Sequence, residues 1–314
     1  MIELPAAVAA FARRGPRWAA FVDALPRTVD DLLAEWGLRV DGAPMHGEVA
    51  LVLPVRTERG LEAVLKVGYV DEESRHEHLT LTTWDGRAAV RMLRADPARG
   101  ALLLERAGPT ALSSLPALDA CEVVAGLYAT LHVSAPRRLV PLSTLVGRWT
   151  EQLAAAQDEV PAPRRLVQQA VALGRAFAGD PGTDGLTVHA DLHDANVLAS
   201  RRADGPGGGG VPWLVIDPKG ISGDPAYEPA PLLWNRWDEV ASARDVRFAV
   251  RRRFHTVVDV AGLDEHRVRD WVVVRMMLNA LWTLQDAQEA GRALDAADRA
   301  WTTRCVTIAK AVQD

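Results

Sequence analysis

Two stretches of this 314-residue chain set carboxylates among apolar neighbours, and no fold of it is viable unless those charges find partners. The first reads Thr187-Val188-His189-Ala190-Asp191-Leu192-His193-Asp194-Ala195-Asn196-Val197-Leu198. The second, shortly after it, reads Trp213-Leu214-Val215-Ile216-Asp217-Pro218-Lys219-Gly220. An ionised side chain taken out of water costs several kcal/mol unless it is paired, hydrogen-bonded or bound to metal. Acids of this kind beside an amide side chain suit a divalent cation and a proton in transit.

Two local geometries are open for the first stretch. If it runs on as a strand from Thr187 to Leu192, then His189, Asp191 and His193 alternate onto one face. If the chain turns after Asp191, Asn196 folds back beside it. Trp213 to Ile216 reads as a buried strand that delivers Asp217 at its end, since Pro218 cannot donate to a ladder. Asp217 with Asn196 nearby makes a hard oxygen set for Mg2+, which leaves Asp191 as the general base. His189 is expected to be structural, donating to a backbone carbonyl, because no second soft ligand accompanies it.

The remaining periodicities divide the chain. Residues 6–36 recur at helical spacing, with breaks expected at Gly15-Pro16 and Leu25-Pro26, and Thr28 reads as the N-cap of a helix that Gly37 stops. Residues 49–55 and 61–67 are β-like and follow turns at Asp41-Gly42 and His46-Gly47, which predicts an antiparallel meander. A helix is expected over 71–81, then strands over 89–95 and 100–106. Beyond Ala107-Gly108-Pro109-Thr110 the chain turns mainly helical, over 119–133, 143–158, 164–178, 239–260, 264–288 and 292–313, interrupted by the β-like stretch 186–217. The class is therefore α+β, with a sheet-bearing domain at 1–106 and a larger helical domain at 107–314. The glycine-rich run 201–210 reads as a flexible surface loop. No strand feeds a helix there, as a phosphate-cradling loop would need.

Composition excludes several function classes. A net charge of −5 supplies no basic face for nucleic acid. No apolar run approaches the roughly 18 residues of a membrane span, and no secretory signal is visible at the N-terminus. Cys121 and Cys305 read as buried thiols, so a cytoplasmic protein is expected. Of 36 basic residues only Lys66, Lys219 and Lys310 are lysine, so each lysine points weakly to a compact ammonium. Lys66 lies within Ala63-Val64-Leu65-Lys66-Val67-Gly68 and needs a partner if buried. The following helix offers Glu73 and Glu77, Glu77 sharing a face with Leu81. A Lys–Glu pair holding phosphate oxygens fits; a solvated edge-strand lysine is the plain alternative.

Taken together, Lys66 on a strand, Glu77 on the next helix, a linker at 105–110, His189-x-Asp191-x4-Asn196 and then Asp217 resemble the protein-kinase-like phosphotransferases. The form His-x-Asp-x4-Asn is similar to the aminoglycoside phosphotransferase family. Leu65-Lys66-Val67, Arg75-His76-Glu77, Trp84-Asp85-Gly86, Leu102-Leu103-Leu104-Glu105-Arg106 and Ile216-Asp217-Pro218-Lys219-Gly220 resemble its streptomycin 6-phosphotransferase and hydroxyurea-kinase group. The resemblance implies a bilobal protein-kinase-like fold with ATP in the cleft, and transfer of the γ-phosphoryl group to a hydroxyl of a streptomycin-type acceptor. It implies that Asp191 takes the acceptor proton and that Asn196 and Asp217 hold Mg2+. Lys66, steadied by Glu77, would contact the α- and β-phosphates, and backbone groups of Glu105, Arg106 and Ala107 would hold the adenine. Two departures stand out. Asp217-Pro218-Lys219 replaces Asp-Phe-Gly, which places Lys219 near the transferred phosphate. The turn at Met45-His46-Gly47-Glu48 lacks a Gly-x-Gly-x-x-Gly pattern.

The acceptor is less legible. From Ile221 onward 14 acids face 13 bases, a net of −1 that does not single out a polycationic substrate. Asp224, Glu228, Asp238 and Glu239 are expected to line the acceptor pocket, with helix faces and caps as the alternative. Trp234 and Trp237 could flank a sugar ring or pack in the core. A metal-dependent hydrolase built on His189, Asp191, His193 and Asp194 would leave Lys66, Glu77 and Asp217 without a task. A catalytically idle binding module would not need Asp191, Asn196 and Asp217 intact. Another sugar, aminocyclitol or small hydroxyl compound is the alternative acceptor.

Overall fold

A computed structural model describes residues 2–72, 74–202 and 212–313. Glu73 and most of the glycine-rich run at 201–210 lie outside the described residues. In chain order the elements begin with α1 (Ala6–Ala9), α2 (Pro16–Glu35), β1 (Leu38–Val40), β2 (Met45–His46), β3 (Ala50–Thr57) and β4 (Glu62–Gly68). Then come α3 (Glu77–Trp84), β5 (Met92–Asp96), β6 (Ala101–Glu105), α4 (Ala117–Leu131), β7 (Val140–Pro141), α5 (Leu142–Ala155) and α6 (Arg164–Gly179). They are followed by β8 (Leu186–Val188), β9 (Val197–Ala199), β10 (Trp213–Val215), β11 (Ile221–Gly223), α7 (Ala230–Trp234) and α8 (Trp237–Ala241). The chain closes with α9 (Val246–Ala261), α10 (Glu265–Glu289) and α11 (Ala296–Ala311).

The chain divides into two compact units. The first comprises Met1–Thr110 and Leu198–Gly220. Its sheet runs β1-β3-β4-β6-β5, with β2 added to β3. β4 is central, with Lys66 opposite Val52 on one side and Leu102 on the other. Ala63, Leu65 and Val67 point to the face covered by the N-terminal helices. Lys66, one residue out of phase, belongs to the other face. α2 runs unbroken through Pro26, against the expected break, and the Thr28 hydroxyl donates back to the Ala24 carbonyl instead of capping a new helix. An internal proline costs about 3 kcal/mol. The buried stripe Val22, Leu25, Val29 and Leu32 outweighs it, at about 1.5–3 kcal/mol per fully buried side chain.

The strand expected over 89–95 begins only at Met92. Residues just before it pair elsewhere: the Val215 amide donates to Ala88 and the Val90 amide to Val215, at 2.9 and 3.0 Å. With Gly108 donating to Ala199, these bonds tie the segment Leu198–Gly220 into the sheet-bearing unit. The split expected at residue 107 therefore misassigns that segment.

The second unit comprises Ala111–Val197 and Ile221–Asp314. Its core is built on α10, whose residues 271–274 and 276–278 are fully buried. α5 and α6 pack together, as do α4 and α9, around a small sheet of order β7-β11-β8. The helix expected over 239–260 is two helices, because Asp245 leaves helical geometry and caps α9 through the Phe248 amide. Among the described residues no helix is long and apolar enough to cross a membrane.

Candidate functional site

In the sheet-bearing unit, β4 and the first turn of α3 bring Lys66 and Glu77 together. The Lys66 ammonium donates to both Glu77 carboxylate oxygens at 2.7 Å and also to Asp217 Oδ1. Burial works against the charged amine, but the Glu77 and Asp217 carboxylates outweigh it and hold Lys66 above its ordinary value. The ammonium therefore stays charged at any working pH. The two carboxylates differ in access, because the Glu77 side chain is 8% exposed and that of Asp217 39%. Two backbone features set Asp217 in place. Its own φ is +61°, a left-handed conformation that costs a non-glycine residue about 1–2 kcal/mol. Gly220 sits at φ +68°, where a Cβ would collide with the Thr80 hydroxyl and lie 3.0 Å from the His76 carbonyl oxygen. The Asp-Pro-Lys-Gly turn is thus seated directly on α3, the helix that supplies Glu77. Lys219 joins Lys66, Glu77 and Asp217 around a cavity of about 40 Å³. That is room for a few waters.

At the expected adenine contacts the side chains are committed within the protein. The Glu105 amide donates to the Arg91 carbonyl at 2.9 Å, and its carboxylate is taken by Arg202 at 2.7 Å. The Arg106 guanidinium donates to the Val55 and Ala63 carbonyls and pairs with Asp41 at 2.9 Å. Neither side chain is available, so any role at this position rests on backbone groups of Glu105, Arg106 and Ala107.

In the helical unit the chain turns rather than continuing as a strand. β8 stops at Val188, Ala190 takes φ +68°, and a 3-10 turn forms over Asp194–Asn196. The Asn196 amide nitrogen donates to the Asp191 carbonyl at 2.9 Å, so Asn196 does fold back beside Asp191. The His189 imidazole accepts the Asp191 amide at 3.2 Å, a structural role. His193 likewise accepts the Ala195 amide. Both histidines shape the loop, which removes the support for a histidine-based hydrolase. Among the described residues no group of three or more His, Cys, Asp or Glu is arranged to hold a metal.

Two of the expected acceptor contacts are corrected. Asp224 is buried and accepts from Arg267 Nε, from Trp271 Nε1 at 2.7 Å and from the Ala226 amide. Glu228 is buried, accepts the His189 amide and faces His132 at 3.7 Å. Burial acts to raise the Glu228 carboxyl, but His132 and His189 outweigh it and hold the group below its ordinary value. Both acids anchor the framework, their oxygens closed off from any acceptor. Asp238 and Glu239 are exposed in the first turn of α8, and Glu239 is bound by Arg236 at 2.6 Å. Trp234 and Trp237 pack against the core, next to Arg275 and Arg304 respectively.

Arg275 was missed on sequence. It sits inside Trp271-Val272-Val273-Val274-Arg275-Met276-Met277-Leu278, a lone cation in an apolar run. That is the same signal that singled out Lys66, and it was available. Both terminal nitrogens of Arg275 donate to the Ala190 carbonyl.

Residues 35–287 match the sequence profile of a family described as aminoglycoside/hydroxyurea antibiotic resistance kinase. The chain is 40% identical to the streptomycin 6-kinase of Streptomyces glaucescens over 297 residues, covering 92% of this chain and 94% of that protein. It is also 40% identical to the hydroxyurea phosphotransferase of Kitasatospora aureofaciens, covering 92% and 83%. Its fold is similar to the crystal structure of a choline kinase from Streptococcus pneumoniae, with a TM-score of 0.58 at 14% identity over 92% of this chain and 98% of that one. The α+β architecture is thus that of a kinase-like phosphotransferase.

Proposed function

The chain belongs to the aminoglycoside/hydroxyurea antibiotic resistance kinase family, and from that premise we propose that it transfers the γ-phosphoryl group of ATP to the 6-hydroxyl of a streptomycin-type aminoglycoside. The observation that carries this reading is the near-full-length identity to a streptomycin 6-kinase. The charged Lys66, held between Glu77 and Asp217, supports it from the side of the chemistry.

In this reading Asp191 orients the acceptor hydroxyl and accepts its proton as the oxygen attacks phosphorus in line. Lys66 holds the α- and β-phosphate oxygens, and Glu77 keeps its ammonium aimed. The donors fit a magnesium ion. Asp217 supplies a partly exposed carboxylate, and the Asn196 amide nitrogen is spent on Asp191, which leaves its side-chain oxygen as the presented acceptor. Such an ion would neutralise charge on the phosphates. Backbone groups of Glu105, Arg106 and Ala107 are the candidate adenine contacts. Asp238, Glu239 and Lys219 remain candidate acceptor contacts, Asp238 and Glu239 for its cationic groups.

The equal identity to a hydroxyurea phosphotransferase favours one second reading, a small N-hydroxy acceptor. Incubation with ATP and Mg2+ over streptomycin, other aminoglycosides and hydroxyurea, read by product mass, separates the two. Phosphorylated streptomycin as the main product is expected. Turnover of hydroxyurea alone would transfer the assignment to the second reading, and ATP-independent change of either compound would sink both.

A further inference from the structure

The structure assigns a positioning role for the proposed reaction to Arg275, a residue of α10 that fixes the peptide carrying Asp191. Its side chain is buried, and among the described residues no carboxylate pairs with it. Instead both terminal nitrogens converge on one atom, the Ala190 carbonyl oxygen, at 3.1 Å each. Its guanidinium carbon lies 4.1 Å from the centroid of the Tyr227 ring and 5.3 Å from that of Trp234, while its Nε is buried without a hydrogen-bond partner. Burying a charge against a carbonyl and two rings is an expensive way to fill a core. A methionine would occupy the same volume without that cost.

What the cation secures is local. Ala190 is held at φ +68°, a conformation alanine reaches only when its surroundings impose it. The Ala190–Asp191 peptide is pinned at both ends, its oxygen by Arg275 and its N–H by the His189 imidazole at 3.2 Å. The Asp191 carbonyl is held in turn by Asn196 at 2.9 Å. With the backbone fixed at these three points, the direction in which Asp191 leaves the chain is set by groups that touch neither nucleotide nor acceptor.

This inference rests on Asp191 being the base, so its test needs two readouts. In the first, Arg275→Met and Arg275→Lys are assayed for streptomycin phosphorylation. A misplacement of about 1 Å costs roughly 100-fold, so Arg275→Met should lose about 100-fold in kcat. KM for ATP should stay within about threefold, because the nucleotide contacts are untouched. Arg275→Lys should restore part of the lost kcat. In the second readout, hydrogen exchange is followed over residues 186–198, where Arg275→Met should lose protection and Arg275→Lys retain it. Should Arg275→Met fail to fold, Arg275→Gln, which keeps a donor, takes its place in both readouts. A folded Arg275→Met with parental kcat and unchanged exchange would overturn the assignment. If the parent phosphorylates no acceptor, the functional reading fails on its own, and the exchange measurement still decides whether Arg275 pins the peptide.

Discussion

Replacing Glu77 by alanine removes two charge-assisted hydrogen bonds of 2.7 Å from the Lys66 ammonium and leaves it a single carboxylate, Asp217. Hydrogen bonds to charged groups contribute about 1.5–3 kcal/mol each. Two of them total about 3 kcal/mol at the low end, the end chosen because the Asp217 contact survives. The loss acts in two ways. Lys66 is no longer aimed at phosphate oxygens, and it draws more tightly onto the carboxylate that is proposed to hold the cation. With a tenfold change in rate for each 1.36 kcal/mol, kcat/KM for ATP should fall by roughly two decades. The magnesium concentration that gives half-maximal rate should rise with it. Glu77→Gln keeps the shape and one acceptor, so about half the free-energy loss, or roughly one decade, is expected. The assay is ADP release coupled to streptomycin phosphorylation, titrated in ATP at several magnesium concentrations, with a thermal melt to confirm folding. A folded Glu77→Ala whose kcat/KM for ATP and magnesium requirement both lie within threefold of the parent would refute the assigned role of the pair.

The other expectations are briefer. Asp191→Asn should lose about 100-fold or more in kcat, within the 100- to 10,000-fold range of general-base catalysis, while ATP affinity measured by calorimetry stays near parental. Gly220→Ala should lower the melting temperature and raise KM for ATP, since its Cβ meets the Thr80 hydroxyl; adding Thr80→Ala should recover part of the loss but not all, because the His76 carbonyl remains 3.0 Å away. Glu228 is held below its ordinary value of 4.5, so the stability it lends is present above that pH and is lost as pH falls through the lower folded value. Melting curves at acid pH should therefore show a shallower decline for Glu228→Gln than for the parent, from a lower starting point, and parallel curves would contradict this. Removing divalent cations with a chelator should abolish phosphoryl transfer, and added Mg2+ should restore it.

Where an element is local, its residues announce it. The alternation Ala63-x-Leu65-x-Val67 marks β4, and the apolar flanks of Lys66 require the acidic partner that Glu77 provides. The turn residues after Asp191 let Asn196 fold back, although spacing could not choose that geometry over a continued strand. What escaped the sequence is long-range or decided by packing. Nothing in Trp213-Leu214-Val215 says that Val215 pairs with residues 88 and 90, far earlier in the chain, and so carries Asp217 into the sheet-bearing unit. Pro26 reads as a helix break by propensity, and only the buried stripe on either side of it reverses that. Asp224 and Glu228 are chemically indistinguishable in the sequence from acids that would meet a cationic acceptor.

Those two acids show how a buried charge is to be read here. Lys66, Asp224, Glu228 and Arg275 each sit in an apolar setting, and by cost alone each is a candidate for chemistry. Their partners separate them. Asp224 is closed by Arg267, Trp271 and a backbone amide, and Glu228 by the backbone it anchors, so neither can exchange a protein partner for a substrate. Arg275 spends both terminal nitrogens on one carbonyl and can act only through the peptide it holds. Lys66 alone of the four is bound to a carboxylate that remains 39% exposed, and Asp191, only partly buried, lies in a loop whose backbone is held on either side of it. Under the proposed function, the reactive positions are accessible groups carried on buried networks. In that reading Asp217 would meet the metal and Asp191 the acceptor, while Lys66 and Arg275 hold the segments that carry them.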